Sequence, residues 1–91
     1  MSRAIILKEI DLERERQEGF WGSDFDDLNT PNDWVTSIVH YVVEGAYDGR
    51  SMFYTPENFR EHLVKAATIT VAAIEALDRN GKLAPRHYDR G

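Results

Sequence analysis

The stretch Thr55-Pro56-Glu57-Asn58-Phe59-Arg60-Glu61-His62-Leu63-Val64-Lys65-Ala66-Ala67-Thr68-Ile69-Thr70-Val71-Ala72-Ala73-Ile74-Glu75-Ala76-Leu77-Asp78-Arg79-Asn80-Gly81 decides the fold. Its opening is a helix start: Thr55 can cap, and Pro56 suits the first helical position, where a missing N–H costs nothing. Phe59, Leu63, Ala66, Ala67, Thr70, Ile74 and Leu77 recur at spacings of three and four, which predicts one apolar face of a helix from Pro56 to about Arg79. Asn80-Gly81 supplies the stop. Ala66, Ala67, Ala72, Ala73 and Ala76 are small enough for a second helix to approach closely.

Working towards the N-terminus, Thr30-Pro31-Asn32-Asp33 repeats the start signal in a form close to a capping box. Trp34, Ile38, Tyr41 and Val42 follow at helical spacing, with Val35, Val39 and Ala46 beside them. This middle helix is apolar around much of its girth, so the reading makes it the central one and ends it between Gly45 and Gly49. Residues 4–18 read as the first helix, rich in strong helix formers from Glu13 to Glu18 and stopped by Gly19. The opening Ala4-Ile5-Ile6-Leu7 fits a short strand as well. Residues 19–33 read as a loop that is both aromatic (Phe20, Trp21, Phe25) and acidic. The expected fold is therefore all-α: one small three-helix domain over residues 1–91, with a long C-terminal helix, an aromatic and acidic loop between helices 1 and 2, and a flexible tail over 82–91.

Composition narrows the function classes. Hydrophobic residues make up 42% of the 91, charged residues 30%, which is the profile of a folded chain. The absence of cysteine removes disulfides, thiolate zinc sites and thiol nucleophiles together. The longest apolar runs fall far short of the ~20 residues that span a bilayer. With no signal-peptide pattern, the expected location is the cytoplasm, with no membrane association. A homo-oligomer is the natural way for so short a chain to bury more apolar surface.

The net charge of −5 is unevenly spread. Nine acids lie between Glu9 and Asp33, opposed only by Arg14 and Arg16, while Trp34 to Gly91 holds seven acids and seven bases. Such a region repels phosphate, so direct nucleic-acid binding is not expected, and a basic protein surface is the natural partner. The same acids do not have the alternating order, turn glycine and closing glutamate of a calcium loop. Glu75-x-x-Asp78 is the kind of pair that helical nucleoside triphosphate pyrophosphohydrolases of the MazG type use. Their companion Glu-Glu-x-x-Glu is missing, since the middle helix has Glu44 alone. His40, His62 and His87 have no metal-ligand partner at helical spacing, and no serine sits in a nucleophile motif. No cofactor is implied.

Several segments together resemble a family of small phage and prophage proteins. These are Arg16-Gln17, Gly19-Phe20 and Asp26-Asp27, followed by Arg60, Leu63-Val64-Lys65-Ala66-Ala67, Ile74-Glu75 and Leu77-Asp78-Arg79 on the closing helix. The resemblance covers about two thirds of the chain and implies a phage origin more than a chemistry. It implies a non-enzymatic accessory protein of a bacterial host cell, one that binds and inhibits a host defence component as anti-CRISPR proteins do. On that reading Glu13, Glu15, Glu18, Asp24, Asp26 and Asp27 imitate the phosphates of a nucleic acid, with Trp21 as anchor. The alternative is an oligomeric binder, or sponge, of a nucleotide-derived signal. There the aromatics, Trp21 among them, stack on the base, and Arg16, Arg60 or Lys65 holds phosphate. The MazG-like hydrolase stands third. The first reading needs the acids to face outward, not neutralised by the chain's own arginines.

Overall fold

In a computed structural model, residues 2–20, 22–46 and 55–90 are described. The described chain is all-α. Helix α1 spans Arg3–Phe20, α2 is the five-residue Gly22–Asp26, α3 spans Pro31–Ala46 and α4 spans Pro56–Asn80, with a 3-10 turn at His87–Arg90. The long last helix is α4, 25 residues and about 37 Å.

The start and stop signals act through their backbone hydrogen bonds. The Thr30 amide donates to Asp33 Oδ2 at 2.9 Å and the Asp33 amide donates to Thr30 Oγ1 at 3.2 Å, a reciprocal box at the head of α3. The Asn58 amide donates to Thr55 Oγ1 at 3.2 Å. Gly81 takes a left-handed φ of 75° and its N–H donates to the Leu77 carbonyl at 2.7 Å, closing α4.

Three expectations are corrected. The chain does not leave the helix at Gly19. The glycine with left-handed φ in this region is Gly22, at 73°, and α1 continues through Gly19 to Phe20 before the short α2 interrupts the expected loop. A glycine inside a helix costs only about 1 kcal/mol against alanine, less than the neighbouring helix formers supply. The strand alternative for residues 4–7 also falls, since they are the first turns of α1.

The second correction concerns which helix is central. Both α1 and α3 pack on α4 and not on each other, so α4 is the axis. On α3, Trp34 and Gly45 are buried, while Val35, Val39, Val42 and Val43 face out. At Gly45 the two helices come close: a Cβ there would lie 2.8 Å from His62 Cβ and 3.0 Å from Phe59 Cδ2, which leaves no room for a side chain.

The third correction is to the face of α4. The stripe of larger residues is mostly not the core: Leu63, Ile74 and Leu77 are 43%, 51% and 40% exposed. The small residues Ala66, Thr68, Ala72 and Ala76 are the buried ones. Trp34, Ala72 and Ala76 form the central cluster, with Ile69, Ala73 and Leu83 packed on it. Leu83 comes from the segment after α4, expected from its composition to be a polar tail. That segment also places the Tyr88 hydroxyl as acceptor for Asn32 Nδ2 at 3.3 Å.

Candidate functional site

Because α1 and α3 lean on α4 without meeting, a cleft opens between them, closed at one end by α2. Its volume is about 180 Å³. Ile69 and Ala72 of α4 make its floor. Gln17 of α1 stands on one wall, Trp34, Ser37 and Tyr41 of α3 on the other, and Phe25, Asp26 and Asn29 close the end. Three aromatic rings, two amides, two hydroxyls and a carboxylate thus converge on one small space, the mix that orients a small organic ligand.

Among the described residues the indole N–H of Trp34 has no hydrogen-bond acceptor, although the residue is only 6% exposed. An unsatisfied buried donor costs about 1–3 kcal/mol, which the apolar packing of the indole on Ala72 and Ala76 offsets. Asp26, 7% exposed, is held in place by Arg14, whose Nη2 donates to Asp26 Oδ2 at 2.9 Å while its Nε donates to Glu75 Oε1 at 2.7 Å. Burial pulls the Arg14 guanidinium down, and the hydrogen bonds and charges of Glu75 and Asp26 outweigh it, leaving Arg14 above its ordinary range. A guanidinium bridging three helices positions one end of the cleft.

The acids expected to form a free outward patch are largely paired. Glu13 accepts two bonds from Arg16, at 3.0 and 2.6 Å. Glu18 lies 3.5 Å from Arg14, and Asp26 is bound by the same arginine. Asp27 accepts from Arg79 and from Asn80 Nδ2. Outside the proposed set, Glu9 accepts two bonds from Arg60. Hydrogen bonds from these arginines hold Glu9, Glu13 and Asp27 below the usual carboxylate range. Glu15 and Asp24 are exposed and have no ion pair among the described residues. Trp21 lies outside the described residues.

The cations of the alternative reading are engaged too. Arg16 is on Glu13, Arg60 on Glu9, and Lys65 lies 3.6 Å from Glu61. Arg60 and Lys65 do line a second cleft, of about 190 Å³, but Glu9, Glu13, Glu57 and Glu61 line it with them. Four carboxylates against two cations repel phosphate. Of the aromatics, Phe25 and Trp34 reach the first cleft, while Phe20 is 71% exposed with the Arg16 guanidinium 5.6 Å from its ring centre. The role of Gln17, Asn29, Ser37 and Tyr41 had no signal in the sequence beyond their polarity, because three different elements bring them together.

Glu75, the first acid of the suspected pyrophosphohydrolase pair, is committed to Arg14, and Asp78 is exposed. His40 meets Glu44 one helical turn on, at 3.3 Å, a pair that the spacing does place together, and His62 of α4 approaches the same carboxylate at 3.9 Å. The His62 Nδ1–H donates to the Asn58 carbonyl at 2.9 Å. Among the described residues no group of three or more histidine, aspartate or glutamate side chains is placed to hold a metal ion. No helix among them is long and apolar enough to cross a membrane. The chain matches no protein-family model, no curated protein and no solved structure.

Proposed function

We propose that this chain is a non-enzymatic binding protein whose ligand is a small planar heterocycle, such as a nucleobase or nucleoside, seated in the cleft between α1 and α3. The observation that carries the reading is the convergence of three aromatic rings, two amides and two hydroxyls on one small cleft. Aromatic faces stack on such a ring, and the amides and hydroxyls bond its polar edge. At about 180 Å³ the cleft is below the ~300 Å³ of sites for drug-sized ligands, so it takes one ring system and not a dinucleotide. The lining holds one carboxylate, Asp26, and no cation, which favours an uncharged ligand over a phosphorylated one.

The resemblance to small phage proteins supplies the setting for this role: a stoichiometric accessory that sequesters a signal in an infected bacterium. The nucleic-acid-mimic reading has less to draw on, since it needs free carboxylates and mainly Glu15 and Asp24 supply them. Charge reversal at that pair tests what remains of it.

The deciding experiment is a thermal-shift and calorimetric panel of nucleobases and nucleosides, with nucleotides alongside. Ligand at a hundred times its Kd stabilises by about 2.7 kcal/mol, which in a domain this size raises Tm by roughly 10 °C or more. Gln17→Ala and Ser37→Ala should weaken binding without lowering the Tm of the free protein by more than a degree or two. A flat response across the panel at millimolar concentration rejects the reading.

A further inference from the structure

One turn of chain builds the closed end of the cleft. The Leu28 backbone N–H donates to the Phe25 carbonyl at 3.1 Å and that of Asn29 to the Asp26 carbonyl at 3.2 Å, and Phe25, Asp26 and Asn29 all line the cleft. The Asp26 side chain is only 10% exposed. Arg14 Nη2 donates to one of its oxygens, Oδ2, at 2.9 Å, while Arg14 Nε is spent on Glu75. The other oxygen, Oδ1, accepts from none of the described residues. Unlike Trp34 Nε1 it is still open to solvent, so a ligand can reach it. A carboxylate offers about four acceptor sites, and a single guanidinium N–H fills one. Beside it the half-buried Asn29 brings an amide whose NH2 donates. The turn therefore sets a charged acceptor next to a donor at the end of an aromatic cleft.

Resting on the ring-binding reading above, we propose that the cleft selects guanine among the bases, with Asp26 as the residue that sets the choice. Guanine carries a ring N–H flanked by a carbonyl on one side and an amino group on the other. The ring N–H donates to Asp26 Oδ1, the amino group donates to the capacity that Arg14 leaves on Oδ2, and the carbonyl accepts from the Asn29 amide. Hydrogen bonds to an ionised carboxylate are roughly twice as strong as neutral ones, so this edge dominates the choice. Adenine puts a ring lone pair where the carboxylate needs a proton. Uracil has the N–H but flanks it with two carbonyls, one of which meets the carboxylate and repels it. Hypoxanthine keeps the N–H and the carbonyl and lacks the amino donor. The cleft has room for one ring system, so the sugar of a nucleoside stays outside and free nucleosides serve as probes.

Calorimetry on the wild-type chain with guanosine, inosine, adenosine, uridine and 1-methylguanosine tests the assignment. Guanosine should bind tightest and inosine about tenfold more weakly. Adenosine, uridine and 1-methylguanosine, whose methyl replaces the ring N–H, should bind about a hundredfold more weakly. Asp26→Asn should bring guanosine and adenosine within about threefold of each other, while Asp24→Asn, at an exposed position outside the lining, should keep the wild-type ranking. Circular dichroism checks that the variants fold. Should Asp26→Asn unfold, the nucleoside series on the wild-type chain decides alone, since it alters no residue. A chain that binds adenosine or uridine as tightly as guanosine overturns guanine selection and leaves the ring-binding reading standing. So does equal binding of guanosine and 1-methylguanosine, or a folded Asp26→Asn chain that keeps the full preference. No binding of any nucleoside at millimolar concentration overturns both.

Discussion

The two flanks of α4 are held by different chemistry. On the α1 flank the ties are ionic: Glu9 to Arg60, Arg14 to Glu75 and, through α2, Asp27 to Arg79. On the α3 flank they are steric and apolar: Trp34 over Ala72 and Ala76, and Gly45 against His62 and Phe59. Exposed ion pairs contribute about 0–1 kcal/mol each, whereas a buried tryptophan contributes several. The α3–α4 pair is therefore the stable half of the fold, and α1 with α2 forms the looser wall of the cleft.

The largest expected effect breaks the strong half. Trp34→Ala should cost about 3–5 kcal/mol, most of the stability available to a domain of this size, and leave no cooperative unfolding transition in denaturant. Next comes the one ionic tie that is buried. Arg14→Ala strands the Asp26 carboxylate and should cost about 3 kcal/mol by urea unfolding. Adding Asp26→Asn should recover part of it, which marks the loss as uncompensated charge and not lost volume.

Gly45→Ala should cost about 1–3 kcal/mol, since the added methyl collides with His62. The same change at Gly19, where an added Cβ meets nothing within 4 Å and φ is not left-handed, should be neutral or stabilise by up to ~1 kcal/mol. The pair of variants separates a glycine the packing requires from one it merely tolerates.

The smallest effect belongs to the exposed ion pairs. Glu9, Glu13, Asp27 and Asp89 have lowered pKa values when folded, chiefly through hydrogen bonds from Arg60, Arg16, Arg79 and Arg86. A lowered folded pKa means stability that is present above the unfolded value, near pH 4, and lost as pH falls through the folded one. Tm should thus decline below about pH 4. In Asp27→Asn that decline should be slightly shallower, and high salt should blunt the difference.

Much of the helix pattern was legible because its signals are local. Thr30-Pro31 and Thr55-Pro56 satisfy or remove amides within their own first turn, so no distant residue can overrule them. Gly19 misled because it was weighed as a helix stop without knowledge of φ. The α4 stripe was legible as a pattern but not as a location: periodicity shows that Leu63, Ile74 and Leu77 share a face, and cannot say whether the same chain covers it. Charge counting failed for a related reason. Arg60 and Arg79 stand 51 and 52 residues from the acids they bind, beyond the reach of any window along the chain. The cleft was half visible, in Phe25 and Trp34. Its polar lining exists only once α1 and α3 take opposite sides of a shared axis.

Where α3 crosses α4 at Gly45 the separation is set by hydrogen alone, so the two rods meet with no spacer. Trp34 sits eleven residues, about three turns, further back on the same rigid α3, at the rim of the cleft. A side chain at position 45 would act as a shim near one end of a lever, with the cleft at the other, so a residue outside the cleft lining would set how widely it opens.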